Sequence, residues 1–216
     1  MIHVVDDFFV NPLEVRRTAL KQKYTNNGEL HNYPGIRSLN DTFPEGIKDY
    51  CLSKVRYYVG DPTLSGSDGP NFQSITKTYK ESIFHRDTFP YALIVYLSLN
   101  PAPNSGTEIC DSDHLPDRYD TPYIIRKTRE FYTDPSNLIK RLKYYRVMRK
   151  VNSWYNPMIT VDNKFNRAVI FNSLNFHRAQ NYFGTSLADG RLTLIAWFGE
   201  EKMRKNFGDG TPATKF

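Results

Sequence analysis

The periodicity of this sequence changes at about Phe72, and that change constrains the fold more than any other feature. Before it, apolar residues recur at helical steps. Asn11-Pro12 signals a helix start, with Leu13, Val15, Ala19 and Leu20 supplying apolar positions up to about Lys23. A second helix is expected from Pro44 to about Tyr58, and Ile2 to Val5 reads as a short strand. The stretches from Tyr24 to Thr42 and from Gly60 to Pro70 are rich in turn residues and read as loops. After Phe72 the runs are extended: around 72–79, 82–87, 91–99 and 106–110, then 158–161, 167–172 and 191–198. Helices first, then many short strands with one helical interruption, predict the α+β class with a barrel or double-sheet jelly roll as its core. No stretch reads as a linker. The spacing therefore predicts one domain over 1–216, with an N-terminal helical part at about 1–65 and a β core at about 71–200.

The helical interruption carries the charge. Nine basic residues lie between Arg126 and Lys150 against only Glu130 and Asp134, so this window alone accounts for the formal net charge of +6. A basic helical insertion is expected at about 124–150, with Asp134 capping it, Pro135 in its first turn, and Leu138, Ile139, Leu142, Tyr145 and Met148 as its apolar face. A run of charge on a helix is most often a solvated face. The sharper reading makes the 126–150 segment a docking surface. Phe131, Tyr132, Tyr144 and Tyr145 interleave with the cations, as they would to stack on bases. On that reading the chain is a non-catalytic jelly-roll binding module for nucleic acid or an acidic partner.

Other classes fall away. No apolar run approaches the about 20 residues that span a bilayer, so no membrane association is expected. The start, MIHVVDDFFV, lacks a basic n-region, and the two cysteines, Cys51 and Cys110, form no CxxC pair. Both point to a cytoplasmic protein with reduced thiols.

Chemistry concentrates at Ile83-Phe84-His85-Arg86-Asp87. In an extended segment side chains alternate, so His85 and Asp87 share a side and Arg86 takes the other. Asp fills 15 of the 216 positions, so five histidines give an H-x-D by chance in roughly a third of such chains. A third ligand is needed. The buried run Asn166 to Asn172 is followed by a turn leading to His177, which can fold back over the sheet mouth. His85, Asp87 and His177 would make a two-histidine, one-carboxylate face with three open metal positions, a set that suits non-haem Fe(II). Further on, Arg191 opens the apolar run to Phe198, with Thr193 on the same face. A buried guanidinium beside a hydroxyl would clamp a carboxylate. Equally, Arg191 could reach solvent at the strand edge and pair with Asp189.

Taken in order, H-x-D, a later strand-turn-His and R-x-T on a buried strand resemble the Fe(II)/2-oxoglutarate-dependent oxygenases, in particular their prolyl-hydroxylase-like branch. The likeness extends to a bacterial and phage group of such proteins through Val4-Val5-Asp6-Asp7-Phe8-Phe9, Tyr33-Pro34-Gly35-Ile36-Arg37 and Tyr182-Phe183-Gly184. It implies a double-stranded β-helix with N-terminal helices and a helical insertion, in the host cytoplasm if phage-encoded. It implies His85, Asp87 and His177 as iron ligands, Arg191 on the far carboxylate of 2-oxoglutarate, and Thr193 and Tyr96 as hydroxyl partners there. Gly106-Thr107-Glu108 falls where related proteins carry a Gly-Gly-Thr-like turn, with Ser105 as a departure. The implied activity is a dioxygenase that consumes O2, hydroxylates a substrate and releases succinate and CO2. The substrate stays open among a peptidyl proline, another protein side chain, a nucleobase and a small metabolite, with the basic insertion favouring something anionic. The triplet His85-Arg86-Asp87 also spells a kinase catalytic loop, but Ala92 stands where its Asn should be and no Gly-rich loop exists.

Overall fold

The structure, a computed structural model, describes residues 1–25, 33–39, 43–80, 82–110 and 136–200. In chain order its elements are β1 (Ile2–Val5), α1 (Pro12–Lys21), β2 (Ile36–Arg37), α2 (Glu45–Val59), β3 (Gly66–Ile75), β4 (Tyr91–Tyr96), β5 (Thr107–Ile109), α3 (Leu138–Asn152), β6 (Ile159–Val161), β7 (Ala168–Asn172), β8 (His177–Ala179) and β9 (Arg191–Phe198). The strands make two antiparallel sheets, one in the order β1-β7-β4-β9-β3-β2 and one in the order β6-β5-β8.

Alternation along the central strands decides the layers. Leu192, Leu194, Ala196 and Phe198 of β9, Leu93 and Val95 of β4, and Ala168 and Ile170 of β7 pack with Val15 and Ala19 of α1 and Cys51 and Val55 of α2. The helices thus cover one face of the large sheet. The residues between these positions turn the other way. Ala92, Tyr96, Val169 and Phe171 meet Ile109 and Val161 of the small sheet. This second layer lies between the sheets and leads to the site. The apolar periodicity of the first 60 residues is therefore the imprint of a helical cover, and the near-continuous runs after it are strands buried on both faces.

Both N-terminal helices form where expected. Pro12 takes the first turn of α1, and Gly60 ends α2 in the left-handed conformation at φ 75°. Arg16 of α1 is buried and donates to the carbonyls of Leu97 at 2.7 Å and Ala188 at 2.6 Å, bolting the helix to the sheet. The N-terminal segment is held by Asn166, whose side chain accepts from Phe9 N and donates to Phe9 O, each at 2.9 Å. Asn166 is buried at φ 63°, a conformation asparagine tolerates and alanine resists. Asn166→Ala should therefore cost about 2–4 kcal/mol in denaturant unfolding, because two buried backbone groups lose their partners. A loss below about 1 kcal/mol would mean the pair does not hold the N-terminus.

Several expectations need correction. Strand β3 begins at Gly66, inside a stretch read as loop, and β2 lies inside the other. Residues 82–87 form no strand, only an isolated bridge between His85 and His177. Strand β8 was not anticipated. Asn137, not Asp134, caps α3, its side chain accepting from Lys140 N at 3.1 Å; Asp134 and Pro135 lie outside the described residues, as does the 124–135 part of the basic segment.

The expected apolar face of α3 is buried only in part: Met148 is buried and Tyr145 packs against the same cluster, but the N-terminal half of the stripe faces outward. Leu138, Ile139 and Leu142 are exposed, while Tyr144, Met148 and Val151 are buried against Phe84, Tyr155 and Phe176. Two apolar stripes compete on this helix, and the one that meets an aromatic cluster is buried. Cys51 and Cys110 are free and buried. Among the described residues no helix is long and apolar enough to cross a membrane.

Candidate metal centre

His85 and Asp87, two residues apart, meet His177, ninety residues further on, at the start of β8. The chain leaves the large sheet at Asn172, turns, and enters the small sheet at His177. That turn grips the 85–90 segment: Asp87 N donates to Ser173 O at 2.9 Å, Ser173 N to Pro90 O at 3.1 Å and Ser173 Oγ to Phe89 O at 2.7 Å. His85 and His177 exchange backbone hydrogen bonds of 3.0 and 2.9 Å. The result puts one ligand atom from each of His85, Asp87 and His177 within 4.8 Å of the others.

The ring orientations suit a metal. His85 Nδ1 lies 3.0 Å from Ile83 O and His177 Nδ1 lies 2.9 Å from Asn175 O. A carbonyl can only accept, so each Nδ1 carries a proton and each Nε2 is the nitrogen turned inward. Both Nε2 atoms face Asp87, at 3.9 Å from Oδ1 for His85 and 3.3 Å from Oδ2 for His177. Trp197 Nε1 donates to Asp87 Oδ2 at 2.7 Å.

Charge follows from this packing. Burial alone would raise the Asp87 carboxyl, but His177, His85 and the indole N–H outweigh it and hold it at about 2. Burial opposes a proton on His177, yet the Asp87 carboxylate beside it raises its pKa above the ordinary value. His85 is lowered, by burial first and then by the neighbouring His177. The group is thus one carboxylate, one neutral ring and one ring that keeps a proton until something displaces it.

Arg191 turns inward. It is 3% exposed, and its Nε donates to Ser105 O at 2.9 Å while Nη2 reaches Gly106 O and Thr107 Oγ1 at 3.4 Å. Asp189 does not pair with it; that carboxylate accepts from the backbone and hydroxyls of Thr185 and Ser186. Among the described residues no carboxylate neutralises Arg191. The three metal-ligand candidates, Arg191 and Thr107 all line one cavity of about 360 Å³.

Two predicted residues stand behind that wall. Tyr96 is fully buried and its hydroxyl donates to Thr107 Oγ1 at 2.7 Å, with the Arg191 guanidinium 5.4 Å from its ring. Thr193 is fully buried, with Gln73 O 3.5 Å from its hydroxyl. Neither lines the cavity.

Other lining residues escaped the sequence reading. Trp197 shares the face of Arg191 by simple alternation and could have been found that way. Arg37, with its guanidinium 3.6 Å from the Tyr33 ring and 5.1 Å from Trp197, lay in a stretch read as loop, and the likeness through Tyr33 to Arg37 gave it no role.

Comparisons with known proteins agree with this architecture. A protein-family model described as a family of unknown function (DUF6445) matches residues 1–198. No curated protein matches the sequence. Among solved structures the chain is similar to HygX from Streptomyces hygroscopicus with nickel and 2-oxoglutarate bound, at 16% identity and TM-score 0.57, over 92% of this chain and 82% of that one. It is similar to a prolyl hydroxylase from Trichoplax adhaerens in complex with a hypoxia inducible factor peptide, at 13% identity and TM-score 0.52, over 96% and 87%. It is also similar to the non-heme alpha ketoglutarate dependent epimerase SnoN from nogalamycin biosynthesis, at 14% and 0.52, over 92% and 78%. These likenesses establish a shared fold.

Proposed function

The chain belongs to DUF6445, a family of unknown function, so what it does has to be read from its fold and its site, and we propose that it is an Fe(II)- and 2-oxoglutarate-dependent dioxygenase that hydroxylates its substrate. The observation that carries this reading is the group of His85 Nε2, His177 Nε2 and an Asp87 oxygen in one cavity with a buried arginine that no carboxylate of the described residues neutralises. Two nitrogens and one carboxylate oxygen on one face fit a six-coordinate metal with three positions left for small molecules. A closed zinc site would call for a fourth protein ligand.

Iron bound there would supply the redox chemistry that couples the conversion of 2-oxoglutarate and O2 to succinate and CO2 with insertion of one oxygen atom into a substrate C–H bond. The chain's own residues supply the rest. The carbonyls of Ile83 and Asn175 fix both rings with Nε2 inward. Arg191, already held by Ser105 O, binds the far carboxylate of 2-oxoglutarate, and Thr107 offers a hydroxyl beside it. Tyr96 and Thr193 support that end from behind; Tyr96 does so by fixing Thr107. Ile94, Phe171 and Ile195 line the cavity with apolar surface that excludes water from the reacting centre. The two facing sheets support a jelly-roll core, and the family match over 1–198 supports one oxygenase-like domain. A peptidyl substrate, such as a proline side chain, heads the candidates, because one similar structure is a prolyl hydroxylase holding a peptide.

The deciding experiment is succinate release from 2-oxoglutarate with Fe(II) and ascorbate present. Release that disappears on chelation supports the dioxygenase. No release, no divalent-metal binding and salt-sensitive binding of DNA or RNA would support the binding-module reading instead.

Metal binding should also depend on pH in a definite direction. The raised pKa of His177 strengthens the hold of a proton on the nitrogen the metal needs, so metal competes with that proton. Apparent metal affinity should rise with pH, by up to about tenfold per unit while His177 is protonated in the free protein, then level off. Asp87, held at about 2, stays ionised throughout and contributes no slope. In the metal-free protein the signs separate. The stability His177 contributes is full below the ordinary imidazole pKa and fades as pH rises through its raised value; that of Asp87 is lost in acid as pH falls toward 2. A pH-independent metal affinity between about 5.5 and 7.5 would contradict the arrangement.

A further inference from the structure

We propose that Trp197 is the positioning residue for Asp87, its indole N–H fixing the carboxylate in the orientation that faces the two histidine Nε2 atoms. The inference rests on the metal-binding reading above and deepens it.

Each of the three ligand candidates has one hydrogen bond that sets its direction. For His85 and His177 that bond goes to a main-chain carbonyl two residues earlier, which any local sequence would provide. Asp87 is different. It sits in a segment that joins no ladder, anchored by a backbone bond from its N–H to Ser173 O. Its side chain has no partner among the described residues other than the two histidines and Trp197 Nε1 at 2.7 Å. A carboxylate on such a segment can turn about χ1 and χ2, and the indole is what stops it.

The indole itself is held firmly. Trp197 lies inside β9, opposite Ala92 of β4 on one side and Asp68 of β3 on the other, and the Arg37 guanidinium lies 5.1 Å from its ring. A central strand therefore lends its rigidity to a ligand that is not on a strand. The hydrogen bond also occupies a lone pair of Oδ2 and, among the described residues, leaves Oδ1 without an N–H donor. That favours binding through a single carboxylate oxygen, which keeps three metal positions open where a two-oxygen grip would leave two.

The test compares Zn(II) binding by calorimetry in wild type, Trp197→Phe, Asp87→Ala and the double variant. Trp197→Phe keeps the ring and removes the N–H. It should weaken Zn(II) binding by about 10- to 100-fold, the usual loss when a ligand's supporting hydrogen bond is removed. In the Asp87→Ala background the same change should cost no more than about twofold, because its effect passes through the missing carboxylate.

A second readout does not need the Trp197 variant to fold. The chain has two tryptophans, hence two indole N–H signals in a proton–nitrogen spectrum, and Trp154→Phe assigns them. The Trp197 signal should shift when wild type takes up Zn(II), and Asp87→Ala should move it upfield without metal. Wild-type binding with an unweakened Trp197→Phe, an equal loss in both backgrounds, or a Trp197 signal indifferent to both Zn(II) and Asp87→Ala overturns the inference alone. A wild type that binds no Zn(II) or Mn(II) overturns the functional reading, and the inference with it.

Discussion

Asp87→Ala is expected to abolish metal-dependent succinate release and to weaken Fe(II) or Mn(II) binding by more than about a hundredfold, since the partners of ligands alone are worth about 10- to 100-fold. The argument is geometric. Among the described residues Asp87 is the only carboxylate that converges with His85 and His177, and its low pKa means it is charged at every working pH. Removing it leaves two neutral nitrogens, which hold a divalent ion through lone pairs with no compensating charge. The substitution also removes the acceptor for the Trp197 N–H, so the folded state should lose some stability. Thermal unfolding of the metal-free variant, run beside the titration, separates the two effects. A variant that folds and binds metal like wild type would mean the three side chains meet for structural reasons alone.

Arg191→Ala should raise the 2-oxoglutarate requirement by about 30-fold or more, because truncating one partner of a buried, hydrogen-bonded charge pair costs about 2–5 kcal/mol. Metal affinity should stay within about threefold of wild type, as Arg191 bonds to none of the three ligand candidates. The guanidinium also ties β9 to Ser105 and Gly106, so the alanine variant risks a softened sheet. Arg191→Lys guards against that: it keeps the charge, loses the fork, and should fall between wild type and alanine in 2-oxoglutarate requirement. If both variants fold and keep the wild-type requirement, the co-substrate's carboxylate is bound elsewhere in the cavity.

Much of the site was legible because strand alternation is local. His85 and Asp87, two apart in an extended segment, had to share a side whether or not that segment joined a sheet, and it joins only by a single bridge. The same rule put Arg191, Thr193, Ile195 and Trp197 on one face of β9. What it could not say is how far along that face the cavity runs. Arg191, Ile195 and Trp197 reach it and Thr193 does not, because Thr193 lies against the Gln73 carbonyl of the adjacent strand. Tyr96 is a similar case: it faces the same way, and its hydroxyl stops at Thr107.

Helix α3 shows the limit from the other side. Leu138, Ile139, Leu142, Tyr145 and Met148 fit helical spacing as well as Tyr144, Met148 and Val151 do, and periodicity alone cannot rank two stripes that share a residue on one helix. The aromatic cluster of Phe84, Tyr155 and Phe176, brought together from three separate segments, decided which stripe was buried.

The sequence by itself determined the succession of helices and strands, the side each strand residue takes, and the residue types available for a metal and a carboxylate, because backbone geometry repeats over two to four residues and needs nothing distant. Only the tertiary structure decided that His177, some ninety residues from His85, closes the ligand group, that Arg191 turns inward rather than toward Asp189, and that Trp197 holds Asp87. Those outcomes depend on the register between strands and on the turn at 173–176 that carries the chain from one sheet to the other, and no short-range pattern encodes either.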